Sequence, residues 1–131
     1  MPFYSYPIEV EPGIPRDNPL VVDLPLKEKW ISEIWVGFEA GCGWAVEVRI
    51  HYGIRRYYPE NPDGWLVGDN IYIPIPGVIQ LPAKWEGLKA IVCSPVAKYS
   101  HTIYVLIWTS EEEIVPIEVG LAKLLKVFGA E

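Results

Sequence analysis

An all-β fold, an antiparallel β-sandwich of jelly-roll type with a short C-terminal α-helix, is what this chain of 131 residues predicts. Three observations carry that expectation. Residues 44 to 52 alternate, with Trp44, Val46, Val48, Ile50 and Tyr52 on one side and Ala45, Glu47, Arg49 and His51 on the other; a period of two in β-branched and aromatic residues fits a half-buried pleated surface. Similar runs recur at intervals of roughly 8 to 12 residues with Pro and Gly between them, the rhythm of a sandwich rather than of an α/β fold. Residues 116 to 128 change character, placing Ile117, Leu121, Leu124, Leu125 and Phe128 at helical spacing between Pro116, suited to a first turn, and Gly129, suited to a stop.

Taken in order, residues 1–19 form a Pro-rich N-terminal arm. Pro2, Pro7, Pro12, Pro15 and Pro19 each fix φ and remove a ladder donor, so only short pieces such as Tyr6 to Glu11 are expected to join a sheet edge. Leu20 to Leu24 is a short strand that Pro25 stops. Ile31 to Glu39 puts Ile34, Val36 and Phe38 on one face and Glu33, Trp35 and Gly37 on the other, and a glycine-rich loop, residues 40–43, leads into the strand at 44 to 52. If these two strands are hairpin neighbours, keeping the apolar faces together sets Phe38 opposite Val46, Val36 opposite Val48 and Ile34 opposite Ile50. Trp35 then lies across from Arg49 as a cation–π pair, and Glu33 across from His51. A topology that sends the two strands to opposite sheets breaks all of these pairs.

Gly53 supplies a turn before a strand at Ile54 to Tyr58, and Asn61-Pro62-Asp63-Gly64 is a turn by mechanism, Pro62 presetting φ and Gly64 accepting a positive one. Trp65 to Val67 and Ile71 to Ile75 read as strand pieces, the second pushed toward an edge by Pro74 and Pro76. Leu88 to Cys93 and His101 to Thr109 follow. The latter is apolar on both faces, Ile103, Val105 and Ile107 against Tyr104, Leu106 and Trp108, as expected of a central strand covered from both sides. The C-terminal helix carries enough large apolar side chains, each worth roughly 1.5–3 kcal/mol when buried, to dock on its own domain or on another subunit.

The charge of −6, from 17 acidic and 11 basic side chains, repels phosphate backbones, so no nucleic-acid partner is expected. Arg49, His51, Arg55 and Arg56 gather near one hairpin and read as a solvated, aggregation-resistant edge. No apolar run approaches the roughly 18 to 20 residues of a membrane span, and the start lacks a basic region followed by an apolar stretch, which predicts a soluble protein, cytoplasmic at synthesis. One Gln, two Thr and three Asn beside 13 Pro match the amide-poor, Pro-rich pattern of proteins from hot environments. Cys42 and Cys93 have no histidine at metal spacing and are expected either as one disulfide or as two small buried hydrophobes.

Catalytic chemistry finds little to work with. Ser100 and His101 are adjacent, so an extended strand points them to opposite faces, and no Gly-x-Ser-x-Gly turn exists. His51 and His101 lack a second ligand at metal spacing on their own strands, so no metal and no cofactor are expected. Glu60, Asn61, Asp63, Asp69 and Asn70 offer oxygens to calcium, but their spacing matches no EF-hand loop and turn chemistry accounts for all five. Six Trp and eight Tyr are many for this length. Exposed aromatics suit a protein interface or a platform for sugar rings. Pro12, Pro15, Trp35, Arg49, Tyr57, Tyr58, Trp65, Leu121, Leu125 and Phe128 are the candidate interface residues.

The order Asp17-Asn18-Pro19, Gly41-Cys42-Gly43, Asn61-Pro62-Asp63-Gly64-Trp65, Gly68-Asp69-Asn70 and His101-Thr102 resembles that of small β-sandwich virion accessory proteins of thermophilic viruses and phages, which decorate or join capsid shells. The likeness covers most of residues 5 to 110 and consists of turn motifs. It implies a non-enzymatic structural protein, assembled in many copies, that binds a capsid or identical subunits through its N-terminal arm and C-terminal helix. A carbohydrate-binding sandwich using surface Trp and Tyr is the alternative.

Overall fold

The structure is a computed structural model that describes residues 2–52, 56–61, 64–75, 79–80 and 87–112. The strands are β1 (Phe3–Val10), β2 (Leu20–Leu24), β3 (Trp30–Phe38), β4 (Glu47–Tyr52), β5 (Arg56–Tyr58), β6 (Leu66–Val67), β7 (Ile71–Ile75), β8 (Ile79–Gln80), β9 (Leu88–Cys93) and β10 (His101–Ser110). They form two antiparallel sheets. Sheet A runs β1-β10-β3-β7 with β8 also on β3, and sheet B runs β2-β9-β4-β5 with β6 also on β4.

Alternation decides what each sheet buries. On sheet A, Ile8 and Val10 of β1, Ile103, Val105 and Ile107 of β10, Ile34, Val36 and Phe38 of β3 and Ile75 of β7 point inward. On sheet B, Leu24, Val48, Ile50, Leu88, Ala90 and Val92 do the same, and both sets belong to one hydrophobic cluster. Two sheets sharing one core make a sandwich-like, all-β architecture. Both outer strands of sheet A contain a proline, Pro7 in β1 and Pro74 in β7, where a missing ladder donor is tolerated.

Several expectations change in three dimensions. Residues 3–10 are an eight-residue edge strand paired with β10 along its whole length, not a loose arm. Pro2 O accepts the Thr109 amide at 3.0 Å, the Tyr6 hydroxyl bonds Pro25 O, and the Tyr4 hydroxyl bonds Glu28 at 2.7 Å. Beyond β1, buried Ser94 exchanges backbone bonds with Gly13 (2.9 Å) and Ile14 (2.8 Å), which docks the next turn as well.

The strand expected at residues 44 to 52 begins only at Glu47. Trp44 has φ 65° and is 63% exposed, so it caps the loop instead of lining the core. The hairpin of β3 with β4 does not form, because β3 belongs to sheet A and β4 to sheet B. Trp35 faces Leu106 and Pro74, and Arg49 faces Ile91, so the Trp35–Arg49 and Glu33–His51 pairs are lost. Cys42 and Cys93 are both free and buried, the two-hydrophobe alternative. The expected helix at 116–128, with Leu121, Leu125 and Phe128, lies outside the described residues.

Candidate functional site

Sheet A has two faces of apolar side chains, and only one of them meets the core. Its outer face follows from register: Phe3 pairs with Trp108, Leu106 with Trp35, Tyr104 with Gly37, and Gly37 with Tyr72. Phe3 and Trp108 pack ring to ring, centroids 4.7 Å apart and tilted by 40°. The Tyr72 ring lies across Gly37, where any Cβ would run into it; an aromatic side chain laid over a cross-strand glycine seals the bare backbone. Phe3 and Tyr72 are each 51% exposed, while Trp35, Tyr104, Leu106 and Trp108 are half-buried. The result is a largely aromatic surface on which exposed Glu33 stands directly opposite Trp108 and Glu9 opposite Thr102.

Sheet B is more polar outside. Its outer face carries Glu47, Arg49 and His51 of β4, Lys89 of β9 and Asp23 of β2, with Val21 and Ile91 in the row of Arg49. Arg49 is not a free cation of a basic edge, since its guanidinium donates to Asn61 O at 2.6 Å and Pro59 O at 3.3 Å. Glu47 is buried despite pointing outward. Arg16 reaches over it, its Nε 2.9 and 3.1 Å from the two carboxylate oxygens. Beneath the pair, burial and the neighbouring Glu47 carboxylate push the Cys93 thiol up to about 12, which keeps it protonated and unreactive. Arg16, Glu47, Trp44, Trp65 and Val67 line a cleft of about 600 Å³ beside this ion pair. Arg16→Ala leaves a buried carboxylate without its cation and should lower Tm by several degrees, with Arg16→Lys recovering only part of it because the two-pronged contact is lost; thermal melts of the two variants check this.

A third grouping sits where β3 and β10 share an end. Glu39 follows β3, Cys42 lies in the next loop and His101 opens β10, and their ligand atoms all lie within 4.8 Å of one another. The Glu39 carboxylate accepts the Thr102 amide at 2.8 Å and lies 3.8 Å from His101 Nδ1. Asp69 Oδ1 accepts the amides of Gly41 at 2.8 Å and Gly43 at 3.0 Å, fixing the loop on either side of Cys42. Positive φ at Gly41 (101°) and Gly43 (54°) allows both amides to converge on one oxygen. Burial raises the Cys42 thiol, and the Glu39 carboxylate, then Asp69, raise it further.

Of the interface residues expected from sequence, Trp35 lies on the aromatic outer face of sheet A and Trp65 in the sheet B cleft. Tyr58 packs against the core, Pro12 and Pro15 are exposed in the docked turn, and Tyr57 pairs with His51 along β5. Trp35 and Trp65 therefore lie on different sheets. Phe3, Tyr72, Tyr104, Leu106 and Trp108 were missed as outward-facing, although the double apolar pattern of β10 held the signal. The grouping of Glu39, Cys42 and His101 had no sequence signal, since its members come from three segments. Among the described residues no helix is long and apolar enough to cross a membrane. No protein-family model and no curated protein matches the chain.

Proposed function

We propose that this chain is a non-enzymatic assembly protein of jelly-roll type that associates with identical subunits through the outer face of sheet A. The observation that carries the reading is the aromatic surface built by Phe3, Trp35, Tyr72, Tyr104, Leu106 and Trp108 on the side of the sheet away from the core. Solvent-facing sheet surfaces are ordinarily polar, and a contiguous apolar patch marks an interaction site. A second copy is the favoured occupant because the chain carries a net charge of −6 and this face holds few of its charges, Glu9 and Glu33, so a two-fold stack of sheet A on sheet A brings the molecules together where repulsion is low. Strand orders β1-β10-β3-β7 and β2-β9-β4-β5, alternating between sheets along much of the chain, support the jelly-roll topology. That topology and the turn motifs fit a virion-associated, decoration-type protein.

Mass photometry and light scattering test the assembly. The wild-type chain should be a dimer or larger, and Trp35→Asp should give a monomer that keeps its Tm. A wild-type monomer overturns the reading. If removal of residues 113–131 then turns that monomer into an oligomer, the face belongs to the chain's own C-terminal segment.

The cleft beside Arg16 favours a second reading, a sugar-binding sandwich. Exposed Trp44 and half-buried Trp65 offer ring faces next to a guanidinium and a carboxylate, the mixture that stacks on and hydrogen-bonds to a pyranose. A monomer that binds a glycan array, with binding lost in Trp44→Ala, would favour it.

A further inference from the structure

We propose that Glu39, Cys42 and His101 form a binding site for a first-row divalent cation, Zn2+ being the best match. The donor set is one sulfur, one imidazole nitrogen and one carboxylate oxygen, gathered within 4.8 Å from three separate stretches of chain. Thiolate and imidazole together select borderline and soft cations and reject Mg2+ and Ca2+, which require oxygen donors. Zn–ligand bonds of about 2.0–2.3 Å set tetrahedral ligands about 3.3–3.7 Å apart. His101 Nδ1 and Glu39 Oε1 are already 3.8 Å apart, close to that spacing.

The surroundings are organised as metal sites are. The Thr102 amide donates to Glu39 Oε1, the oxygen that also lies 3.8 Å from His101 Nδ1, and so orients the carboxylate as outer partners do for coordinating carboxylates, with Oε2 left to bind. Asp69 fixes the loop through Gly41 and Gly43, and the Cys42 amide donates to Glu39 O at 3.3 Å, so the thiol is positioned by backbone geometry before any ion arrives. Cys42 is 1% exposed, whereas the side chain of Glu39 is 37% exposed, which leaves the carboxylate side open for entry. The Asp69 carboxylate, bonded to the amides on either side of Cys42, sets a second negative charge beside that of Glu39. Three protein ligands leave the fourth position to water, and Cys42 coordinates as thiolate, its proton passing to solvent.

The test uses the full chain, reduced and stripped with chelator, titrated with Co2+ as a spectroscopic stand-in and with Zn2+ itself. One ion per chain, a thiolate-to-cobalt charge-transfer band, tetrahedral visible bands and a Tm that rises with Zn2+ are expected. Cys42→Ser should abolish the charge-transfer band. Glu39→Gln and His101→Ala, both nearer the surface and less able to disturb folding, should weaken Zn2+ binding by more than about 100-fold, beyond the 10–100-fold loss typical of an outer partner. Cys93→Ser should change nothing, since that thiol lies under Glu47 on sheet B. A folded wild-type chain that gives no cobalt charge-transfer band overturns the site, as does a band that survives Cys42→Ser and vanishes in Cys93→Ser.

Discussion

A chain lacking residues 2–10 is expected to lose its cooperative unfolding transition. β1 pairs residue for residue with β10 from Phe3–Trp108 to Val10–His101, and Ile8 and Val10 are 5% and 0% exposed within the shared core. Burying two such side chains is worth about 3–6 kcal/mol, and a domain of this kind has a total stability of about 5–15 kcal/mol. Deletion also removes a ladder of backbone bonds, strips the Tyr4 hydroxyl from Glu28 Oε1, the same oxygen that accepts from Thr109 Oγ1 at 2.5 Å, and leaves apolar β10 as a bare sheet edge. Such an edge invites strand addition from other chains. Circular dichroism melts and urea denaturation of the truncated chain check the prediction, and a Tm within a few degrees of the full chain would show that residues 2–10 are a detachable arm after all. Pro12→Ala and Pro15→Ala, in the exposed turn that follows, should change stability little.

Phe38→Ala should cost about 3–5 kcal/mol, the range for emptying a large aromatic site that cannot collapse. Phe38 is the last residue of β3, 2% exposed, and its ring is so close to Gly68 that a Cβ there would sit 3.0 Å from Phe38 Cδ2. It therefore ties the end of sheet A to the loop carrying Asp69, whose carboxylate organises residues 41 and 43. A lower urea midpoint with an unchanged slope is the expected signature. A loss under about 1 kcal/mol would mean that neighbouring side chains move in to fill the space. Because Glu39 follows Phe38 directly, the same variant should also loosen the cation site.

Legibility differed sharply between elements. β7 at Ile71–Ile75 and β9 at Leu88–Cys93 have the bounds that alternation and flanking turn residues predict. The Gly64 amide donates to Asn61 O at 3.0 Å, but Gly64 does not take the positive φ expected of it. Trp44 matches a strand by its size and its place in the alternating series, but a φ of 65° takes it out of the extended series, with its amide bonded to Gly68 O. β1 was underestimated because five prolines in the first 20 residues suggest interruption, yet on an edge strand Pro7 needs no ladder donor. β10 is central, as its sequence indicates, but its second apolar face is only half-covered within the described residues.

By itself the sequence determined which segments extend and which side chains of each share a face, because both depend on neighbours one or two positions away and on the φ preferences of Pro and Gly. Tertiary structure alone decided that β3 and β4 part into different sheets, that one sheet presents aromatics outward while the other presents charge, and that Glu39, Cys42 and His101 meet at one end of the fold. Those outcomes depend on which distant strands pair and in what register, a competition among whole surfaces that no local period encodes.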